Sequence, residues 1–289
     1  MKTILICPNQ AHGLTVLADL KPIPTLPVLG EPFISCWMHH LAAQKFKEIR
    51  IVTSEPAEVI TEYTGDGSRW GPKVEVFHEV CDLTPEEARK RYKPNYESDW
   101  APEPLDVIEA NHLPGLEGCK LFDSYRDWFQ ALSRWLPIVA NSRRIGMREL
   151  SSGVWVGRRT KISRQAKLVG PCWIGDHVQI GKDAIIGPNS FLESQVVVDV
   201  GASIENSWVG PETFLGALAE LKDSLAWGST LINWKTGSNT VVPDPFLLTS
   251  LSDRRERDDT PVRQTTEIAQ PGLARRLGSV MSLAKNLQS

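Results

Sequence analysis

The sequence predicts an α/β chain in two parts: a short doubly wound domain followed by a parallel β-helix. Three observations carry that expectation. Strand-like apolar runs alternate with segments of helical period through the first eighty residues. An aliphatic residue recurs at every sixth position from Val156 to Ile204. Between the two patterns lies a stretch, 80–120, rich in proline and charge and without clear periodicity.

The first part reads element by element. "TILIC" (3–7) is a continuous apolar run of the buried-strand kind, and Pro8 ends it. "PFISCWMHHLAAQKF" places Phe33, Trp37, Met38, Leu41 and Ala42 at helical spacing, with Pro32 suited to a first turn. "EIRIVTS" (48–54) reads as a strand, "PAEVITEY" (56–63) as a short helix, "GDGSRWG" (65–71) as a turn cluster and "KVEVFHE" (73–79) as a third strand. Strands alternating with helices imply a parallel sheet.

In the middle, "TPEEARKRY" (84–92) carries a capping box: Thr84 as cap, Pro85 first, Glu87 reaching back. "KPNYESDWAPEP" reads as an irregular loop. "DSYRDWFQALSRWLP" (123–137) is an amphipathic helix with Tyr125, Trp128, Phe129, Leu132, Trp135 and Leu136 on one side, a stripe suited to core packing.

The hexapeptide register runs Val156, Ile162, Leu168, Ile174, Ile180, Ile186, Leu192, Val198, Ile204 without a miss. Four residues after each of the first eight stands a small or β-branched residue: Thr160, Ala166, Cys172, Val178, Ala184, Ser190, Val196, Ala202. Glycine follows the aliphatic at 157, 175, 181 and 187. Short strands that point an aliphatic inward, with small residues at the corners, make a parallel β-helix. After Ile204 the register slips by one and resumes at Val209, Leu215 and Leu221.

On these residues a resemblance becomes specific. "DLKPIPTLPVLGEPFI" (19–34) resembles the P-K-P-L-L-P-V segment of sugar-1-phosphate nucleotidyltransferases, and "YTGDGSRWG" and the element order extend the likeness over residues 1–80. "IENSWVGPETFLG" and "LKDSLAWGSTLINWKTGSNTVVPD" resemble the β-helix tails of the same family. The resemblance implies a truncated nucleotidyltransferase-like (Rossmann-like) domain at 1–120 and a connecting helix and linker at 121–150. It implies a left-handed β-helix at 151–250, leaving a charged linker and helix at 251–289. It also implies ligand positions at Gly13, Lys21 and Glu79, the last matching a base-binding residue. The family's lysine slot holds Ile23, however, and its glycine- and arginine-bearing phosphate loop is replaced by "PNQAHGL" (8–14). Those are the groups that hold and neutralise a transferring phosphoryl group. The expectation is a non-catalytic regulatory or scaffold protein of nucleotide-sugar or cell-envelope polysaccharide biosynthesis, with Mg²⁺ relevant only if nucleotidyl transfer is retained. Two enzyme alternatives stand beside it: a nucleotidyltransferase with an altered site, or a hexapeptide-repeat acyltransferase using His177 as base.

Bulk properties narrow the partners. The 289 residues carry a net charge of −3, which gives no electrostatic case for nucleic acid. Five scattered cysteines without a CxxC pair favour buried thiols in a reducing compartment. The N-terminus lacks a signal-peptide core and no apolar run reaches membrane-spanning length, so the expected location is cytoplasmic. "SDRRERDD" (252–259) reads as a solvated linker. The segment 271–289 places Leu273, Leu277, Val280, Ala284 and Leu287 at helical spacing with Arg275, Arg276 and Lys285, a basic amphipathic helix suited to a membrane surface, a glycosyltransferase partner or packing on its own protein. The β-helix is the expected surface for a homo-oligomer.

Overall fold

Strand β1 (Lys2–Cys7) is followed by helix α1 (Thr15–Leu20), a 3₁₀ turn (Ile23–Thr25) and a hairpin of β2 (Pro27–Val28) and β3 (Glu31–Pro32). Then come α2 (Phe33–Ala43), β4 (Glu48–Thr53), α3 (Ala57–Thr64), β5 (Lys73–His78), α4 (Pro85–Arg91), β6 (Asp106–Glu109) and α5 (Tyr125–Asn141). The computed structural model describes residues 1–8, 13–92, 106–141 and 146–252. The irregular loop expected at 93–104 lies outside these residues, as do the linker from 253 onward and the terminal helix.

Four strands form one parallel sheet in the order β5-β4-β1-β6. The chain moves outward from β1 to β4 and β5, then returns to pair β6 on the other side of β1. The expected strands are all present, and the Thr84–Glu87 capping box is formed on both sides. β6 corrects the sequence reading, which placed a helix at 84–92 but no strand anywhere in 80–120. "DVIE" is four residues long and bounded by prolines and glycines, too short for periodicity to register; pairing with β1 is what makes it a strand.

From residue 148 the chain winds into a solenoid with three parallel faces. The first holds Val154–Val156, Cys172–Ile174, Ser190–Leu192, Ser207–Val209 and Ser224–Trp227. The second holds Lys161–Ile162, Gln179–Ile180, Val197–Val198 and Thr213–Leu215, and the third Lys167–Leu168, Ile185–Ile186, Ser203–Glu205 and Glu220–Lys222. Antiparallel strands Arg148–Ser151, Thr230–Asn233 and Leu248–Ser250 cover open edges. Both hexapeptide columns point inward: Ile174, Ile180, Ile186, Leu192, Val198 and Ile204 pack with Cys172, Val178, Ala184, Val196 and Ala202 in one buried cluster. The slipped residues Val209, Leu215 and Leu221 join it, so the slip is a coil one residue shorter. Corner residues stack as well. Arg159, His177, Gln195 and Glu212 occupy equivalent corners of successive coils, all with φ between 52° and 62°.

The two parts share a core. The middle residue of each first-face strand points away from the solenoid axis, giving a column of Trp155, Trp173, Phe191, Trp208 and Leu225 on paired positions. This column joins α5 and the N-terminal elements in one buried cluster. Phe129 of α5 meets Phe191 edge-on at 5.5 Å and stacks on Trp234 at 4.6 Å. Burying each such ring contributes on the order of 2–3 kcal/mol. Among the described residues no helix is long and apolar enough to cross a membrane.

Candidate functional site

In an open parallel sheet, ligands bind beyond the carboxyl ends of the strands, where the strand order reverses. Here that point lies between β1 and β6, and a cavity of about 550 Å³ lies there. Its walls are Pro8, which follows β1, Asn111 and His112, which follow β6, and Gly118, Cys119, Lys120, Phe122 and Asp123 from the segment leading to α5. The segment is anchored from below. Trp37 Nε1 donates to the His112 carbonyl at 3.2 Å, and Trp135 Nε1 donates to the Pro114 carbonyl at 3.1 Å.

Asn111 Oδ1 lies 2.8 Å from His112 Nδ1; the amide oxygen only accepts, so Nδ1 carries the proton. Partial burial disfavours the imidazolium and lowers the His112 pKa; His40 adds to this, while Glu117 and Glu109 oppose it. His112 is therefore mainly neutral at pH 7. Lys120 donates to Asp123, and Arg134 donates to Cys119 Sγ at 3.3 Å. Because the folded pKa of His112 is depressed, the unfolded chain binds the extra proton first. Stability contributed by the neutral ring is present above the unfolded value of ~6.5 and falls as pH drops toward the folded one. His112→Gln should flatten the loss of stability between about pH 7.5 and 5.5 in urea denaturation; an unchanged slope would show that the ring takes no part.

The positions expected from the sequence lie apart from one another. The Gly13 N–H donates to the Phe122 carbonyl at 3.2 Å, and a Cβ there would collide with the Asp123 backbone carbonyl. Its glycine is needed for close approach of the chain's own segment 122–124, which borders the cavity. Lys21 closes α1, its N–H donating to the Leu17 carbonyl, and its ammonium sits 6.0 Å from the Tyr63 ring centroid. Glu79 is buried past the end of β5 and bound by its own chain, to Tyr92 Oη at 2.5 Å and Arg91 Nη1 at 2.7 Å. Burial first, then Glu79, raises the Tyr92 pKa. His177 is exposed at its corner, where its N–H donates to the Arg158 carbonyl at 2.8 Å. Three cysteines are buried, and burial pushes the Cys7 and Cys172 thiols up to about 12; Cys81 is exposed and Cys119 half-buried, which corrects the expectation of uniformly buried thiols.

The motif "LPVLGEP" has a definite place. Leu29 and Gly30 form the two-residue turn between β2 and β3, with φ of 47° and 85°. Such a turn needs positive φ at both positions, which is unfavourable for leucine. The two turn N–H groups point at one carboxylate: Leu29 donates to Glu193 Oε1 at 2.9 Å and Gly30 to Oε2 at 2.7 Å. Trp208 Nε1 also donates to Oε1, at 3.1 Å. Glu193 is 1% exposed and follows Leu192 on the first face of the solenoid. Ile23 is also 1% exposed within the core cluster, so the lysine slot of the resembled family is an apolar core position here.

Sequence reasoning missed the cavity residues and Glu193. A signal for the covered face existed in the aromatics at 155, 173, 191 and 208, each one coil apart. Among the described residues no cluster of three or more His, Cys, Asp or Glu side chains is placed to hold a metal ion.

No protein-family profile matches the chain, and no curated relative does. Among solved structures it is similar to the acetyltransferase domain of PglB from Neisseria gonorrhoeae in complex with acetyl coenzyme A. That match is 11% identical, covers 78% of this chain and 96% of that one, and has a TM-score of 0.17. It is also similar to a mutant perosamine N-acetyltransferase from Caulobacter crescentus in complex with CoA and GDP-perosamine (14% identical, 78% and 93% covered, TM-score 0.16). PerB from the same organism, with the same ligands, gives 16% identity, 78% and 94% coverage and a TM-score of 0.16. At these scores the likeness carries no weight for function.

Proposed function

We propose that the chain is a nucleotidyltransferase-like protein without nucleotidyl-transfer activity, acting as a regulatory or scaffold subunit in nucleotide-sugar or cell-envelope polysaccharide biosynthesis. One observation supports the reading: the positions that the resemblance would give to phosphate handling are occupied by the chain's own packing. Segment 122–124 packs against Gly13, and Ile23 sits in the apolar core where the lysine would stand. Phosphoryl transfer depends on fixed cations and N–H donors around the transferring group. In this reading the solenoid is left-handed and offers its uncovered faces to a second copy. The divisions at 120, 150 and 250 separate ligand-binding, connecting and assembly segments, and the basic segment 271–289 meets a membrane surface or a glycosyltransferase.

The test is pyrophosphate release from sugar 1-phosphates and nucleoside triphosphates with magnesium. No release above background is expected. Ile23→Lys should not restore it and should cost several kcal/mol, because it places an ammonium in a closed apolar cluster. Release by the unmodified chain, abolished by changing Gly13, would overturn the reading.

A hexapeptide-repeat acyltransferase is the second reading. It is favoured by a depression of about 920 Å³ over the second face of the solenoid, lined by Thr160, Lys161, Ser163, Gln179 and Asp199; of these, Gln179 is two residues along the chain from His177, which itself does not line the depression. Acetyl-CoA in the same assays separates the two. Saturating ligand at ~100 times its dissociation constant would stabilise the chain by ~2.7 kcal/mol. Transfer lost in His177→Ala would establish this second reading.

A further inference from the structure

We propose that the cavity between the ends of β1 and β6 binds an uncharged polyhydroxyl ligand, a monosaccharide unit, through Lys120, Asp123, Asn111 and His112. Its volume of about 550 Å³ lies inside the ~300–1,000 Å³ range of small-molecule sites. Its position is the one at which this kind of sheet binds ligands.

The charge balance selects the class of ligand. Among the described lining residues Lys120 is the one cation, and its ammonium is paired with Asp123. His112 is held toward its neutral form, and Glu117 and Glu109 lie near enough to act on its titration. A nucleoside triphosphate would bring several negative charges to a wall with no net positive charge and acidic neighbours, where like charges repel. A sugar brings none.

The polar groups also match hydroxyls. An ammonium beside a carboxylate offers donors and acceptors side by side. Each hydroxyl of a vicinal pair donates once and accepts up to twice. One sugar hydroxyl can accept from Lys120 while its neighbour donates to Asp123. Neutral His112, protonated at Nδ1, keeps Nε2 as an acceptor, and the Asn111 amide adds donors. Phe122 and Pro8 supply apolar wall for the C–H face of a ring. A role in sensing sugar supply rests on the non-catalytic reading; the binding itself does not.

The full chain is titrated by calorimetry and saturation-transfer NMR with D-glucose, D-mannose and N-acetyl-D-glucosamine, and with glucose 1-phosphate and Mg·UTP as charged comparators. At least one free sugar is expected to bind, with affinity changing less than about twofold between about 50 and 500 mM salt, because no ion pair is made with it. Lys120→Met and Asp123→Asn should each weaken binding about tenfold or more. Both side chains are exposed, so melting temperatures should stay unchanged and folding is not at issue. The proposal is overturned if no sugar binds, if both variants bind as the parent does, or if Mg·UTP binds more tightly than every sugar. Pyrophosphate release together with retained sugar binding would end the non-catalytic reading and leave this site standing.

Discussion

Ile180→Asp is expected to destabilise the protein by about 5 kcal/mol, while Lys182→Asp, two residues away, changes stability by less than about 0.5 kcal/mol. Ile180 is 4% exposed and packs inside the solenoid with the aliphatics of neighbouring coils, whereas Lys182 is exposed at a corner. The aspartate loses the transfer energy of isoleucine. It then either buries an unpaired charge or stays protonated with a raised pKa. The sign of the pH dependence follows. A carboxyl whose folded pKa is raised leaves stability intact below its unfolded value of ~3.9 and removes it as pH rises through the folded one. The deficit of Ile180→Asp should therefore shrink below about pH 4. Urea denaturation of both variants at neutral and acid pH checks this, and equal midpoints at neutral pH would mean the inward register is misassigned.

Glu193→Ala should cost about 3 kcal/mol or more and loosen the hairpin from the solenoid. The carboxylate takes hydrogen bonds from the Leu29 and Gly30 N–H groups and from Trp208 Nε1, all in a closed environment. A buried donor left without a partner costs ~1–3 kcal/mol, and three lose theirs together. The Leu29 turn, with φ of 47°, also loses the group that holds it. Glu193→Gln keeps the shape and one carbonyl oxygen, so it should cost less, but its NH₂ group faces a donor. Asp199 and Glu205 follow Val198 and Ile204 as Glu193 follows Leu192, and both are partly exposed. Alanine at either should change stability by under about 0.5 kcal/mol. Equal effects at 193, 199 and 205, read by denaturation followed through tryptophan fluorescence, would remove the hairpin contact as the explanation.

The repeating half was legible because one physical requirement recurs in each coil. Every short strand must bury one aliphatic, and every corner must turn within a few residues, so the pattern at six-residue spacing survives even the slip after Ile204. The strand–helix alternation of residues 1–80 was legible for the same reason: each element buries a face of its own. β6 was not, since four residues become a strand only through the hydrogen bonds of β1. With β6 unseen, the reversal in strand order was unseen too, and so was the cavity that brings His112 and Asn111 beside Lys120 and Asp123.

The resemblance implies Gly13, Lys21 and Glu79 as ligand positions, and in the fold each of them packs on or pairs with another part of the chain. By itself, the sequence determined the inward register of the solenoid, three of the four strands of the N-terminal sheet and the absence of lysine and arginine from residues 8–14, because these depend on residue type and local spacing. Only the tertiary structure decided which solenoid face is covered, why Glu193 is buried when Asp199 and Glu205 are not, and where the cavity lies. Those outcomes depend on which distant surfaces meet, and in a repeat whose three faces share one pattern, nothing local distinguishes the face that will be covered.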